Sequence, residues 1–243
     1  MKRKPRSRVS QTNDEMLPVK KSRNRLSRDD EFQEVRESSV IKTLNFAQDT
    51  YLNAIKSKNI IFGAGPAGTG KTYVATSYAA LQLLNKKVDK IILTRPNVEV
   101  GRSLGFLPGS LEEKYAPYLE PFSYILKQRL GEGFYDYCLK TKTIDPRPLG
   151  FMRGSNFENV IVLVDECQNM TKIEFRMLLS RIGNNTKIIL SGDLEQMDIP
   201  DSGMLDAIER LERVTGIEVC RFLDADIVRS VMCKKIICAY REK

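Results

Sequence analysis

One segment, Gly65-Pro66-Ala67-Gly68-Thr69-Gly70-Lys71-Thr72, restricts what this chain can fold into more than any other. It fits the pattern G-x-x-x-x-G-K-[ST] and lies between a short apolar run, Asn59 to Gly63, and a helix-patterned stretch, Lys71 to Leu84. Glycines are needed because successive backbone N–H groups must curl around phosphate oxygens at the positive end of a helix, in conformations a side chain would block. Lys71 is expected to bridge the β- and γ-phosphates of a nucleotide, and Thr72 to place its hydroxyl on magnesium. The stretch from Gly65 to Tyr73 is therefore the expected loop for ATP with Mg2+. A second apolar run, KIILTR from Lys90 to Arg95, follows the helix. Strand, tight turn, helix and strand make one βαβ unit, whose parallel strands require the crossover helix.

Two more apolar runs follow, NVIVLVDE from Asn159 to Glu166 and TKIILSGD from Thr186 to Asp193. Neither alternates, which fits strands covered on both faces and an α/β architecture with a mostly parallel central sheet flanked by helices. The globular domain is expected over 39–243, because Val40, Leu44, Phe46, Tyr51 and Ile55 recur as one helix face just after Ser39. Residues 96–150 read as a helical and loop excursion off the sheet, interrupted by six prolines from Pro96 to Pro148 and rich in aromatic residues from Tyr115 to Tyr137. Further helices are expected up to Arg181 and over Gly203 to Thr215, and IEVCRF and KKIICAY read as strands. Residues 1–38 read as a disordered basic tail: Lys2, Arg3, Lys4, Arg6 and their neighbours face only Asp14 and Glu15 within the first 28 positions. Such a segment cannot offset its ordering entropy.

Composition narrows the chemistry. There is no histidine, which removes His general bases, Ser-His triads and the commonest zinc ligand. Catalysis must then rest on carboxylates, lysine, arginine and a metal, and phosphoryl transfer needs least else. Five cysteines, odd in number and without a C-x-x-C pair, read as reduced and mostly buried thiols. No apolar run approaches the roughly 18 residues of a membrane span, and the polar N-terminus lacks the apolar stretch of a secretory signal. A cytoplasmic, non-membrane address is expected. The net charge of +8 favours polyanionic partners in a non-specific way.

Candidate site residues gather at strand ends. Asp165 and Glu166 close the VIVLV run as a Walker B strand does, with Asp165 assigned to the metal and Glu166 to the attacking water. The carboxyl end of the next strand, SGDLEQMD, faces the same crevice in a parallel sheet, so Gln196, with Ser191 or Asp193, is expected to sense the γ-phosphate. Gln48, shortly before the loop, carries an amide able both to accept from and donate to an adenine edge. Three arginines are candidate fingers for transition-state charge: Arg229 in DADIVRS, Arg181 in LLSRIG and Arg102 in EVGRS.

These motifs, in order, carry a resemblance. Gln48, GPAGTGKT, TRPNVEVGRSLGFLPGSLEEK, FMRGS, DECQN, LSRIG, GDLEQMDIPDSG and DIVRS make the chain from about residue 41 onward resemble the PhoH-like P-loop ATPases in a short, phage-like form. The resemblance implies a RecA-like P-loop NTPase core related to the first domain of superfamily 1 helicases, hexameric rings, and the same roles for Lys71, Thr72, Asp165, Glu166, Gln196 and Gln48. The family usually has alanine where Cys167 stands, and RGRT or similar where this chain has Arg153, Gly154, Ser155 and Asn156. The chain has no room for the PIN ribonuclease domain of some relatives, so RNA cleavage is not expected. With no second RecA-like domain, a neighbouring subunit would have to complete a motor.

The favoured expectation is thus a magnesium-dependent ATPase whose homo-oligomeric ring handles single-stranded RNA or DNA, in the host cytoplasm if phage-encoded, with the aromatic excursion offering stacking surfaces. The alternative is a nucleotide-gated binding or assembly module with slow turnover. A small-molecule kinase is disfavoured by the SGDLEQ strand end and by the Glu beside the magnesium Asp.

Overall fold

The computed structural model describes residues 40–96 and 119–241. Helix α1 (Phe46–Ser57) opens on Asn45, whose side chain caps it by accepting from the Gln48 N–H. Strand β1 (Ile60–Ala64) follows, all five residues buried. Helix α2 (Lys71–Leu84) begins at the lysine of the glycine-rich loop, and β2 (Lys90–Thr94) completes the βαβ unit. Next come α3 (Glu120–Leu130), α4 (Glu132–Lys140), β3 (Ile144–Pro146), β4 (Val160–Val164), α5 (Lys172–Leu179), β5 (Lys187–Gly192), α6 (Met204–Leu211), β6 (Ile217–Arg221) and α7 (Val231–Arg241).

The strands form one sheet in the order β3-β2-β4-β5-β1-β6, and every neighbouring pair is parallel. All carboxyl ends therefore lie on one edge, where open α/β sheets bind ligands. Because β5 sits between β1 and β4, the ends of three consecutive strands meet there.

Successive side chains of each strand go to opposite faces. Ile61, Ile91, Leu93, Ile161 and Ile189 pack with Tyr51, Val74, Leu126 and Tyr135 from α1 to α4. Phe62, Ile92, Val162, Val164, Ile188 and Leu190 pack with Phe175, Leu178, Met204 and Ile208 from α5 and α6. Both faces are apolar, which is why these strands show no alternation in sequence.

Several expectations are corrected. Residues 96–150 do not lie wholly off the sheet: Ile144–Pro146 pairs with β2 as an edge strand, the one place where a proline costs the ladder little. KKIICAY is not a strand but part of α7. The first helix starts only at Phe46, and Val40, Leu44 and Phe46 are exposed, whereas Tyr51 and Ile55 are fully buried. Of the excursion's aromatic residues, Phe122 and Tyr135 belong to the core and Tyr124 and Tyr137 are exposed. Tyr115, Tyr118, Arg102 and the basic segment 1–38 lie outside the described residues. Cys138, Cys167, Cys220 and Cys233 are free thiols, the first three buried. Among the described residues no helix is long and apolar enough to cross a membrane.

Candidate nucleotide site

A cleft of about 400 Å³ opens at the carboxyl edge of the sheet. The loop from Ala67 to Tyr73 forms one wall, Arg95, Asp165, Glu166, Asp193 and Gln196 come from strand ends, and Pro121, Ile125, Val228 and Arg229 close it.

The loop is held from below. The Gly65 N–H donates to the Gly192 carbonyl at the end of β5 (3.0 Å), and a Cβ on Gly65 would stand 2.4 Å from the Phe222 carbonyl oxygen. Gly70 takes φ +84°, and a Cβ there would come within 2.5 Å of Gln48 Nε2. Both positions require glycine, by close approach and by left-handed backbone. Lys71 Nζ donates to the carbonyls of Gly65 and Pro66, 2.7 Å each, and to Thr69 Oγ1 at 3.3 Å. Burial holds its pKa below the usual lysine range, opposed by Asp193, Asp165 and Glu166.

Across the cleft Thr72 Oγ1 donates to Asp165 Oδ1 at 3.1 Å. A hydroxyl and a carboxylate converging in this way are hard oxygen donors, the set that suits Mg2+. Burial, reinforced by the neighbouring Glu166, pushes the Asp165 carboxyl up to about 6.

Glu166 sits in left-handed backbone (φ 53°, ψ 39°), costly for a side-chain-bearing residue and found where a site over-determines it. Both carboxylate oxygens are engaged: Arg95 Nη2 lies 3.3 Å from Oε1, and Gln168 Nε2 donates to Oε2 at 2.7 Å. Gln168, 1% exposed, also donates to the Gln196 carbonyl at 3.1 Å and accepts from the Asp193 N–H at 3.1 Å. It pins the end of β4 to the end of β5.

The candidates named from the sequence divide. Lys71, Thr72, Tyr73, Asp165, Glu166, Gln196 and Arg229 share the cleft, with Gly68, Gly70 and Ala67 of the loop. Arg229 lies over its own loop: a Cβ on Gly68 would meet Arg229 Cγ and Cδ at 3.1 Å, and the Val228 N–H donates to the Gly68 carbonyl at 3.1 Å. Gly65 and Pro66 supply carbonyls to Lys71, and Thr69 is fully buried beneath them.

Gln48 is buried behind the loop and is not among the residues that line the cleft. Its Nε2 donates to the Thr69 carbonyl at 2.9 Å and its Oε1 accepts from the Leu44 N–H at 2.8 Å, so one amide end braces the loop from behind and the other holds the segment ahead of α1. Arg181 is not at the cleft either. Its carbonyl accepts from the Phe157 N–H ahead of β4, at the amino edge of the sheet, because the chain has crossed there through α5 to start β5.

Two residues that hold Glu166, Arg95 on the wall of the cleft and Gln168 buried beside it, receive no role from the sequence. Each lies inside a quoted motif, Arg95 in TRPNVEVGRSLGFLPGSLEEK and Gln168 in DECQN, yet spacing cannot tell that the ends of β2, β4 and β5 converge. That is a property of strand order.

A phosphate loop after β1, an acid pair after β4 and an intervening β5 whose end faces both define a P-loop NTPase with a RecA-like core. The chain belongs to the PhoH-like protein family, whose profile matches residues 40–241. It is 43% identical over 210 residues to Protein PhoH of Escherichia coli (strain K12), covering 84% of this chain and 59% of that protein. It is 42% identical over 203 residues to the PhoH-like protein of Bacillus subtilis (strain 168), covering 82% of this chain and 64% of that one. The chain thus spans about six-tenths of the length of these relatives. Among solved structures it is similar to the DUF1998 helicase MrfA bound to DNA, at 12% identity and a TM-score of 0.44, over 78% of this chain and 29% of that one. That superposition is too loose to add to what the sheet order defines.

Proposed function

We propose that this protein hydrolyses ATP with magnesium. The observation that carries the reading is the 3.1 Å approach of Thr72 Oγ1 to Asp165 Oδ1 beside the Lys71 loop, in the same cleft as Glu166. Thr72 and Asp165 would hold Mg2+, and the ion, when bound, neutralises charge on the β- and γ-phosphate oxygens. Loop N–H groups at the start of α2 cradle the phosphates, and Lys71 leaves the carbonyls of Gly65 and Pro66 to bridge them. Glu166 orients the attacking water and accepts its proton. Gln196 contacts the γ-phosphate, and Arg229, from the same chain, stabilises charge on the transferred group.

The ATPase is further read as a ring-forming one acting on single-stranded RNA or DNA. A net charge of +8 supports a polyanionic partner. Exposed Leu44, Phe46, Leu223, Val231 and Met232 lie on two segments joined by the Asn45 Nδ2 to Asp226 carbonyl hydrogen bond of 3.0 Å. They offer a surface for a neighbouring subunit. The same surface supports the second reading, an assembly module in which nucleotide controls association and turnover is slow.

Phosphate release from Mg-ATP, with and without single-stranded RNA or DNA at low and high salt, tests both halves, with oligomer mass recorded in the apo, ATP and ADP states. Turnover lost in Lys71→Ala and stalled with binding retained in Glu166→Gln is expected. An active Glu166→Gln protein would remove Glu166 from its role. Lack of any nucleic-acid stimulation or salt-sensitive binding would end the motor half, and mass unaffected by nucleotide would end the assembly reading.

A further inference from the structure

Glu166 is held by two partners of different character. Gln168 is almost fully buried and makes three hydrogen bonds that knit β4 to β5, so it cannot let go without unpicking the sheet edge. Arg95 stands at the end of β2, its side chain 30% exposed, on the wall of the cleft that also carries Lys71 and Arg229. Its guanidinium has several donors in a fixed fork, suited to phosphate as well as to carboxylate.

Without nucleotide, the cations of the cleft rest on protein acceptors or on the loop. Lys71 lies on two loop carbonyls, Arg95 on Glu166, and the stem of Arg229 on Gly68. A triphosphate brings several strong anionic acceptors into this space. Lys71 and the loop N–H groups account for the phosphates near α2. Arg95 approaches from the opposite side, next to the residue that would serve the attacking water.

We propose that Arg95 is a γ-phosphate-sensing residue of the cleft, in addition to Gln196: it pairs with Glu166 in the absence of a γ-phosphate and exchanges that carboxylate for the γ-phosphate when ATP binds, which frees Glu166 for water. The inference rests on the reading of the cleft as an ATPase site. Arg95 thereby has two functions tied to one movement. It discriminates ATP from ADP, since ADP offers nothing for it to reach, and it keeps Glu166 neutralised until the substrate is complete. Gln168 is the fixed hinge of the exchange, holding Oε2 while Oε1 changes partner.

Equilibrium affinities for ADP and for a non-hydrolysable ATP analogue, both with Mg2+, test this in the full chain. The variants are Arg95→Ala, Arg95→Lys, Glu166→Gln and the Arg95→Ala/Glu166→Gln pair. A charge-assisted hydrogen bond to the γ-phosphate makes the analogue bind more tightly than ADP by about tenfold or more. Arg95→Ala is expected to reduce that preference about tenfold, leaving the share owed to the other groups at the γ-phosphate, while ADP affinity stays within about threefold, the latter also reporting an intact fold, and Arg95→Lys to restore part of the loss. Glu166→Gln should strengthen analogue binding, because Arg95 then gives up a neutral amide rather than the Glu166 carboxylate. That gain should vanish in the Arg95→Ala background, as coupled neighbours require. If the preference is undiminished in Arg95→Ala, or the gain survives in the double variant, Arg95 is not a sensor, though the cleft remains a nucleotide site. Should the unaltered chain bind neither nucleotide, both the inference and the ATPase reading are overturned.

Discussion

Gln48 separates two accounts of this cleft. If the residue reads adenine, its replacement should change base preference and little else. The structure puts its amide to another use, donating to the Thr69 carbonyl at 2.9 Å and accepting from the Leu44 N–H at 2.8 Å. Gln48→Met keeps the unbranched length and removes both amide ends. Leu44 is 71% exposed, so its N–H can turn to water at little cost, whereas Thr69 is 0% exposed and its carbonyl loses a donor it cannot replace. A buried acceptor left in this state costs about 1–3 kcal/mol. Taking about 2 kcal/mol, and a urea dependence near 2 kcal/mol per molar, the unfolding midpoint should fall by about 1 M. The loop loses its brace at the same time, so affinity for ATP and GTP should weaken together. Urea unfolding followed by circular dichroism and paired nucleotide titrations measure both quantities. An unmoved midpoint together with a lost preference for ATP over GTP would refute the brace.

Asp165 makes the cleft sensitive to pH. Its folded pKa, pushed up to about 6, lies above the ordinary carboxylate value, so the folded state holds the proton more tightly than the unfolded one. The group therefore destabilises the metal-free protein above about pH 6, by at most about 3 kcal/mol, and that cost is relieved as pH falls through this value toward the ordinary carboxylate range. Mg2+ affinity should accordingly drop by nearly tenfold per pH unit below 6, and equal affinities at pH 5 and 7 would contradict the assignment. Gly65→Ala, with its Cβ 2.4 Å from the Phe222 carbonyl oxygen, should cost about 3 kcal/mol or more or prevent folding, and a thermal midpoint within a few degrees of the unaltered chain would show the loop to be less tightly held. On the proposed role of Arg229 as a finger for its own cleft, where the Val228 N–H donates to the Gly68 carbonyl, Arg229→Ala mixed with Lys71→Ala should regain no turnover. Restored activity in the mixture would place the finger across a subunit boundary.

Much of this was legible in the residues. Helix α2 begins and ends where its pattern put it, and β1, β2, β4 and β5 fall within a residue or two of the apolar runs, because burial on both faces leaves an uninterrupted apolar signature. Strand β3 was hidden: three residues ending in a proline carry no periodicity, and only pairing with β2 makes them a strand. KKIICAY was misread because a short apolar run does not distinguish strand from helix. Val40, Leu44 and Phe46 had the spacing of a core face yet are exposed, since nothing in a spacing says where a helix starts. Around the cleft, Arg95 and Gln168 lie inside recognised motifs, yet no role follows for them from the residues, because their convergence on Glu166 depends on β2, β4 and β5 being neighbours.

The account stands on Thr72 and Asp165 serving a single ion. The most direct measurement is the dependence of ATP affinity on Mg2+ concentration in the unaltered chain, Thr72→Val and Asp165→Asn. Each substitution should abolish the strengthening of ATP binding by Mg2+ while leaving metal-free affinity within a few-fold. Undiminished strengthening in both variants would mean that the ion is held elsewhere.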